Sequence, residues 1–441
     1  FGAAVSPGAI IEAQAKIAEG VAASLDIALL QQERVALKER PTENAQAYDA
    51  FLRGSNFASR PFAEEPTRKA IEMFERAVQL DARFLHAYAK LAEVGSQYYY
   101  FFDRSPARLE RVRSAVDRAM AIDSTHVASR VAHGYYLYWA LADIERAISE
   151  FESVRQAEAN NSQLLYVLGS AYRRAGRWEE ALASYERAFA LNPRAQQFAA
   201  DLGSTHLVTR NFADAERYLN RAVALAPDWV VPYALRGHLH LSSHGDLTQV
   251  RNGLLDAATK VGFPAFLSTM VHRFRPLLGI ADGALEDSLA TLRLGSMPLD
   301  SSSYFLAKAQ WHAGRSRGAL ARAYYDSARL VGEGRARVRP DDADVRIDLA
   351  LAYAGLVRRH DAEREIQRAL ALRPSSRDAY FGPIAAGVAS EIYAKVGNAD
   401  SAIALIRENL RVPSSYTPAM LRVDHRFDVI RGDPRFRALV Q

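Results

Sequence analysis

The sequence contains no cysteine, so a disulfide framework and thiolate metal sites are both excluded. It also lacks a long apolar run. The best candidate, residues 265–281, is interrupted by His272, Arg273, Arg275 and Pro276. A membrane-spanning helix needs about 18 or more apolar residues in succession, so we predict no direct membrane span.

The chain also lacks a large excess of either positive or negative charge. The chain has 56 Lys and Arg residues against 51 Asp and Glu residues, which gives a formal net charge of +5 over 441 residues. No run of five or six like charges occurs. Because nucleic acid is bound by a dense cationic surface, we predict no nucleic-acid partner.

Several motifs that carry catalysis are missing. The sequence has no G-x-x-x-x-G-K-[ST] or G-x-G-x-x-G loop to cradle phosphates, and H-E-x-x-H does not occur. Carboxylates such as Glu179, Glu180 and Asp342 fall at predicted helix starts, where they favour the positive end of the helix dipole. We predict that the protein is not an enzyme and uses no cofactor.

One histidine cluster resembles a metal site. His240 and His244 are one helical turn apart, while His238 points elsewhere. His240 also falls on the position that Tyr172 occupies in an earlier repeat, and His206 occupies the same position between them. Packing between hairpins explains these histidines better than a metal does, so no metal is predicted.

The residues that are abundant favour helices. The chain is 49% hydrophobic and 24% charged, as soluble globular proteins are, and Ala and Leu dominate the apolar set. Val, Ile and Thr in alternating runs are hard to find. The composition therefore predicts an all-α fold.

A 34-residue period organises the central part of the chain. Four positions, each followed by its counterpart 34 residues later, are Gly169 and Gly203, Ala181 and Ala215, Ala188 and Ala222, and Pro193 and Pro227. Small residues allow two helices to approach closely, Gly176 ends the first helix of its pair and Pro193 stops the second. The period predicts paired antiparallel helices that stack on one another.

These residues resemble the tetratricopeptide repeat family. The matching positions are Leu168, Gly169, Tyr172, Ala181, Tyr185, Ala188 and Pro193, while Leu165 stands where the family often has Trp. The resemblance implies a right-handed α-solenoid of helical hairpins. Stacked hairpins contact only their neighbours and bend the array, so we expect a concave groove that suits an extended peptide or a partner helix.

The spacing of the repeats predicts five regions along the chain. They are an N-terminal helical leader over 1–45, a regular array over 46–260, irregular helical or degenerate repeats over 261–340, further repeats over 341–412 and a C-terminal capping segment over 413–441. Because position 1 is Phe rather than Met, we expect the chain to be a processed or trimmed piece of a longer protein.

The two ends of the array carry a second resemblance. Residues 41–54, which begin Pro41-Thr42-Glu43-Asn44, and residues 421–436, which end in Arg431-Gly-Asp-Pro-Arg-Phe436, are similar to the repeat regions of large bacterial signalling proteins. In that family a Ser/Thr kinase, a cyclase or a DNA-binding domain precedes a TolB-like segment and then such repeats. The resemblance implies a sensory or docking role and brings no catalytic residue.

The repeat register also predicts which side chains line the concave face. They are Tyr135, Tyr138, Trp139, Tyr166, Arg173, Arg174 and His238. Upstream, residues 98–102 are five consecutive aromatics, which cover every direction around a helix, so some must be exposed or cover a neighbouring element. Aromatic and Arg side chains dominate interaction hot spots, so this cluster is a candidate binding surface. The alternative is that the aromatics fill gaps between repeats.

The sequence thus predicts a non-catalytic scaffold that docks a protein or peptide partner in a concave groove, as part of a bacterial signalling protein. The alternative is a structural subunit of a large membrane-associated or cell-surface assembly. An enzyme built in residues 246–342 is a third, weaker reading. The oligomeric state and the compartment are left open.

Overall fold

The computed structural model describes residues 16, 17, 20, 41–60, 62–280, 283–294 and 301–441. Across those ranges the regular secondary structure is entirely helical, and the predicted all-α solenoid class is confirmed. Apart from three helical residues, Lys16, Ile17 and Gly20, the predicted leader helix over residues 1 to about 40 lies outside the described residues. None of the helices in the described ranges is both long and apolar enough to cross a membrane.

Contacts between residues divide the chain into two compact units, Phe1–Ala171 (unit 1) and Tyr172–Gln441 (unit 2). The helices up to the division are α1 Ala45–Ala58, α2 Glu64–Leu80, α3 Leu85–Phe101, α4 Pro106–Ile122, α5 Val127–Tyr135, a π-helical turn Tyr136–Leu141, α6 Ile144–Arg155 and α7 Ser162–Arg174, within which the division falls.

Unit 2 continues with a longer series of helices. They are α8 Trp178–Leu191, α9 Gln196–Val208, α10 Phe212–Leu225, α11 Val230–His244, α12 Leu247–Val261, α13 Phe263–Arg273, α14 Arg275–Leu278, α15 Gly283–Thr291, α16 Ser301–Ala313, α17 Gly318–Val338, α18 Ala343–Gly355, α19 Arg359–Leu372, α20 Phe381–Lys395, α21 Ala399–Arg411, α22 Pro418–Val423, a 3-10 segment His425–Ile430 and α23 Pro434–Val440.

Consecutive helices pack in pairs because small residues let them approach. In the α9–α10 pair, the space where a Cβ of Gly203 would lie is taken by Leu219, whose Cγ is 2.7 Å away and whose backbone nitrogen is 3.1 Å away. Ala215 and Ala222, which lie 34 residues after Ala181 and Ala188, are fully buried. The residues that set the 34-residue period are therefore the ones at which two helices touch.

The turn inside a pair needs one residue in the left-handed backbone region. Ala142 (φ 54°), Gly176 (φ 78°) and Arg210 (φ 63°) occupy it at the same 34-residue spacing as the sequence period. Further along, Ser316 (φ 56°) and Val357 (φ 61°) take the same conformation after α16 and α18. Only glycine adopts it without cost, so these turns are held by the packing of the helices that they join.

The C-terminal segment, residues 412–441, is built of short helices that each begin with a side-chain cap. Thr417 accepts a hydrogen bond from the backbone N–H of Met420, and Asp424 and Asp433 accept from the N–H groups of Arg426 and Arg435. These caps satisfy donors that a short helix leaves unpaired. The apolar side chains of the segment join the core of unit 2 and are fully or almost fully buried: Met420, Leu421, Phe427, Ile430 and Phe436.

The close approach at Gly203 gives a test of the packing. We expect Gly203→Ala to lower the free energy of unfolding by about 1–3 kcal/mol, because the added methyl displaces Leu219 and meets backbone. Chemical denaturation followed by circular dichroism measures this change.

The matched control is Gly253→Ala in α12. Nothing lies within 4 Å of a Cβ at Gly253, and the residue is exposed within a helix. That substitution should raise stability by about 0.5–1 kcal/mol, because alanine loses less backbone freedom on folding than glycine. Equal effects of the two substitutions would contradict the close approach.

Candidate docking surfaces

The predicted concave-face residues of unit 1 differ in their accessibility. Tyr135 and Tyr138 are buried, at 8% and 2% exposure, and Tyr135 packs edge-on against Phe151 with ring centres 5.8 Å apart. Burial raises the pKa of Tyr135 far above its usual value. Trp139 and Tyr166 are half-buried. Of the three predicted concave-face aromatics at the end of α5 and in the π-helical turn, only Trp139 therefore reaches the surface.

Trp139 belongs to a row of aromatic side chains that we call the aromatic ridge: Phe62, Tyr100, Phe101, Phe102 and Trp139. The ring of Trp139 lies 4.9 Å from that of Tyr100 and 5.0 Å from that of Phe101. Phe62 lies 5.1 Å from Phe101 and 5.3 Å from Phe102. The ridge thus joins the α1–α2 turn, the end of α3 and the π-helical turn of the next pair.

The aromatic ridge is open to solvent and has a cationic border. Phe62 is 54% exposed and Phe101 is 44% exposed. The guanidinium group of Arg104 lies 4.4 Å above the ring of Tyr100, and that of Arg60 lies 4.6 Å above the ring of Phe57. Exposed aromatic area beside stacked Arg is the composition found at the centres of protein interfaces.

In unit 2, the two predicted arginines at the end of α7 contact a segment far along the chain. Arg174 Nε donates to Asp378 Oδ2 at 2.9 Å, and both side chains are only about 5% exposed. The Ala379 N–H donates to the Arg174 carbonyl at 2.7 Å. Arg173 lies 3.9 Å above the ring of Tyr380. We call this contact between α7 and residues 374–381 the arginine corner.

The C-terminal segment forms a second long-range contact, which runs along α9 and α11. Ser242 Oγ donates to the Ser415 carbonyl at 2.7 Å, and Thr417 Oγ1 donates to the Ser242 carbonyl at 2.6 Å. Arg210 Nη2 donates to the carbonyl of Leu410, near the end of α21, at 2.8 Å and to the Tyr416 carbonyl at 3.3 Å. Each of these bonds joins a side chain to a backbone carbonyl that is 173 to 206 residues away in the sequence.

Expecting hairpins to contact only their neighbours is therefore wrong for unit 2. Its later helices return to its first ones, and the chain's own residues occupy the inner side of α7, α9 and α11. The register predicts that Arg173, Arg174 and His238 line the concave face, and in the structure all three contact residues far along the same chain. The register does not predict that the chain itself supplies these contacts.

His238 shows how that inner side is built. It lies beside Arg426 and Asp424 of the C-terminal segment, and its Nδ1 is buried without a hydrogen-bond partner. Arg426 is itself held by Asp424 at 2.6 Å and by Glu391 at 3.1 Å. Burial and then the positive charge of Arg426 lower the pKa of His238 to about 4, so the ring is neutral at pH 7.

The other histidines of the metal-like cluster have separate surroundings. His244 Nδ1 lies 2.8 Å from the Ser243 hydroxyl, and burial lowers the pKa of His240. His206, on the position equivalent to Tyr172, stacks on Tyr218 with ring centres 5.6 Å apart and planes within 3°. Within the described ranges, no group of three His, Asp or Glu side chains is arranged to hold a metal ion.

A polar pocket of about 400 Å³ lies beside α17 and α18, at the end of residues 246–342, the region of the possible enzyme site. Its carboxylates are paired. Glu365 accepts from Arg346 at 2.7 Å, and Glu333 accepts from Arg329 at 2.9 Å and from the Tyr353 hydroxyl at 2.8 Å. Burial opposes ionisation of Glu333, but these hydrogen bonds bring its pKa below the usual value. Such pairing suits a structural ion network rather than acid–base chemistry.

The neutral state of His238 predicts how stability depends on pH. Its folded pKa of about 4 lies below the ordinary histidine pKa of 6.5, so the unfolded chain binds more protons than the folded chain between these two pH values. The contribution of neutral His238 to the free energy of unfolding is fully present above about pH 6.5 and is lost as the pH falls towards 4. At pH 5 the loss is roughly 2 kcal/mol.

Denaturation at pH 7 and pH 5 measures this loss. His238→Leu should reduce the difference between the two pH values, whereas His360→Leu, at an exposed position on α19, should leave it unchanged. A difference that is as large in His238→Leu as in the parent protein would refute the assignment.

Comparisons with known proteins bear on the repeats. The tetratricopeptide repeat family model matches residues 136–188 and 166–228. No curated protein sequence matches the chain. Among solved structures, a tetratricopeptide repeat protein from Parabacteroides merdae is 12% identical, with 70% of this chain and 98% of that chain covered and a TM-score of 0.39.

Two other solved structures are similar over shorter parts. PilF of Pseudomonas aeruginosa is 16% identical, with 53% of this chain and all of that chain covered and a TM-score of 0.37. YrrB, described as a TPR protein with an unusual peptide-binding site, is 19% identical, with 43% of this chain and 92% of that chain covered and a TM-score of 0.32. The chain therefore carries tetratricopeptide repeats, which the family match places at residues 136–228.

Proposed function

We propose that the protein is a non-catalytic docking scaffold and that the aromatic ridge of unit 1 binds its protein partner. Tetratricopeptide repeats serve as protein-interaction scaffolds. The observation that carries the proposal is the exposure of Phe62 and Phe101 in a continuous row of rings. Of the predicted groove residues, the proposal retains Trp139 as a contact and treats Tyr135 and Tyr138 as its buried support.

The chemistry of the ridge indicates the kind of partner. Rings at 44–54% exposure offer apolar area, and Arg104 places positive charge on Tyr100 of the same ridge. A segment with aromatic or aliphatic side chains followed by carboxylates complements both features. We therefore propose an acidic, apolar protein segment as the ligand.

We further propose that the array is the sensory or docking part of a larger bacterial signalling protein. Support comes from the likeness of residues 41–54 and 421–436 to that family. A structural subunit of a membrane-associated or cell-surface assembly is the alternative. A permanent subunit would leave the isolated chain self-associated, because an exposed apolar surface without its partner drives aggregation. Size-exclusion chromatography of the isolated chain distinguishes the two.

The docking surface is tested by photo-crosslinking in cells that produce the protein. Benzoylphenylalanine at position 101 should give a discrete protein adduct, and the same probe at Leu330, which is 57% exposed on α17, should give none. Phe62→Ser should reduce the adduct at least tenfold, because truncation of a hot-spot side chain costs roughly 2 kcal/mol or more of binding free energy.

Charge reversal separates the two parts of the proposal. Arg104→Glu should weaken the adduct if the partner carries carboxylates, and added salt should weaken it in the parent protein as well. Unchanged helicity in both variants excludes unfolding as the cause. An adduct that survives Phe62→Ser undiminished would reject the aromatic ridge as the docking surface.

A further inference from the structure

Residues 374–381 present a carboxylate and an aromatic ring to two adjacent arginines. Asp378 uses both carboxylate oxygens. Its Oδ2 accepts from Arg174, while its Oδ1 accepts the backbone N–H groups of Tyr380 at 3.2 Å and Phe381 at 2.8 Å and so caps the start of α20. Two positions after the carboxylate, the Tyr380 ring lies under Arg173.

In the arginine corner, Arg173 also has contacts outside residues 374–381. Arg173 Nη1 donates to Asp201 Oδ1 at 3.0 Å and to the Ser204 hydroxyl at 3.0 Å, and its guanidinium lies 5.4 Å from the ring of Tyr185. These partners come from α8 and α9, the helices next to α7. Arg173 is therefore oriented by its own neighbourhood and not by Tyr380 alone.

The hold on residues 374–381 is polar. Asp378 is their single buried side chain, and no apolar side chain of the segment is buried. The C-terminal segment is different, because Phe427 and Phe436 are fully buried there. The contacts of α7 with the segment include the Arg174–Asp378 ion pair, the backbone hydrogen bond from Ala379, and cation–π contacts of Arg173 with Tyr380 and of Arg174 with Phe381. Breaking contacts of these kinds does not open the apolar core.

We propose that the arginine corner is a peptide-binding site occupied in cis by residues 374–381. An acidic peptide with an aromatic residue two positions after its carboxylate replaces that segment. This site lies on unit 2 and goes beyond the docking surface proposed for unit 1. Exchange replaces one carboxylate and one ring by another carboxylate and another ring, so the two states differ little in the chemistry of their contacts.

Because residues 374–381 are covalently attached to the protein, a free peptide must compete with them for the site. A short chain segment next to its site has an effective concentration on the order of millimolar. A free peptide of equal intrinsic affinity therefore binds the parent protein weakly, because the competent state is populated only in part. Weakening the cis segment should raise the apparent affinity of the free peptide.

The test uses the full chain and a labelled peptide that reproduces residues 375–382, followed by fluorescence anisotropy. Asp378→Asn removes the charge but keeps a side chain that caps helices well, so α20 retains its start. With Tyr380→Ser added, the variant should bind the peptide at least tenfold more tightly than the parent chain. Adding Arg174→Gln to the same variant should abolish binding, as should replacement of Asp by Asn in the peptide.

Asp400→Asn is the matched control. It removes the carboxylate partner of Arg435, an exposed ion pair at 2.6 Å between α21 and α23, by the same isosteric change. Peptide binding should stay at the parent level. Gained binding in this control, or no gain in the Asp378→Asn, Tyr380→Ser variant at unchanged helicity, would overturn the proposal.

Hydrogen exchange on the unaltered protein tests the same idea if the double variant fails to fold. The amides of residues 374–381, which include the Ala379 N–H bonded to Arg174, should exchange at least tenfold faster than those around Ala389 and Ile392 in the core of α20. Excess peptide should speed their exchange further. Exchange of both segments at one common rate shows that the cis segment never leaves separately and rejects the proposal.

Discussion

A helical hairpin has one apolar side that it cannot cover by itself, and the rest of this structure depends on that constraint. Each pair solves it by packing on the next, which needs small residues where helices meet, such as Gly203 and Ala215. After α20 and α21 the chain continues with short helices in place of another hairpin. The apolar side of that pair is covered by the short helices of the C-terminal segment, whose Phe427 and Phe436 are fully buried.

Buried charge in unit 2 specifies where its ends meet. The Arg174–Asp378 pair and the Arg426 cluster with Asp424 and Glu391 lie at contacts between distant parts of the chain. Burying an ion pair adds little net stability, because desolvation opposes the attraction. A mismatched partner, however, would leave a charge buried and unpaired. These pairs therefore act mainly by excluding other registers of the closing helices.

The sequence predicts the local part of this architecture well. A period of 34 residues is visible because the same contact recurs in each pair. The spacing of Gly169 and Gly203 therefore predicts that both lie where two helices meet. The register also predicts that Arg173 and Arg174 lie on the concave face. It does not predict the contact of Arg174 with Asp378, because that contact depends on rotations summed over the intervening pairs, and no local pattern encodes that sum. The π-helical turn that brings Trp139 onto the aromatic ridge is hidden for a similar reason, since its residues read as ordinary helix.

The return of residues 374–381 to Arg174 also constrains how many helical pairs lie between them. An open array tolerates gain or loss of a repeat, because an added pair merely lengthens the rod. In unit 2, one more pair between α8 and α19 would carry residues 374–381 past Arg174, and one fewer would leave them short. The number of pairs between these helices is therefore constrained by the contact of Arg174 with Asp378.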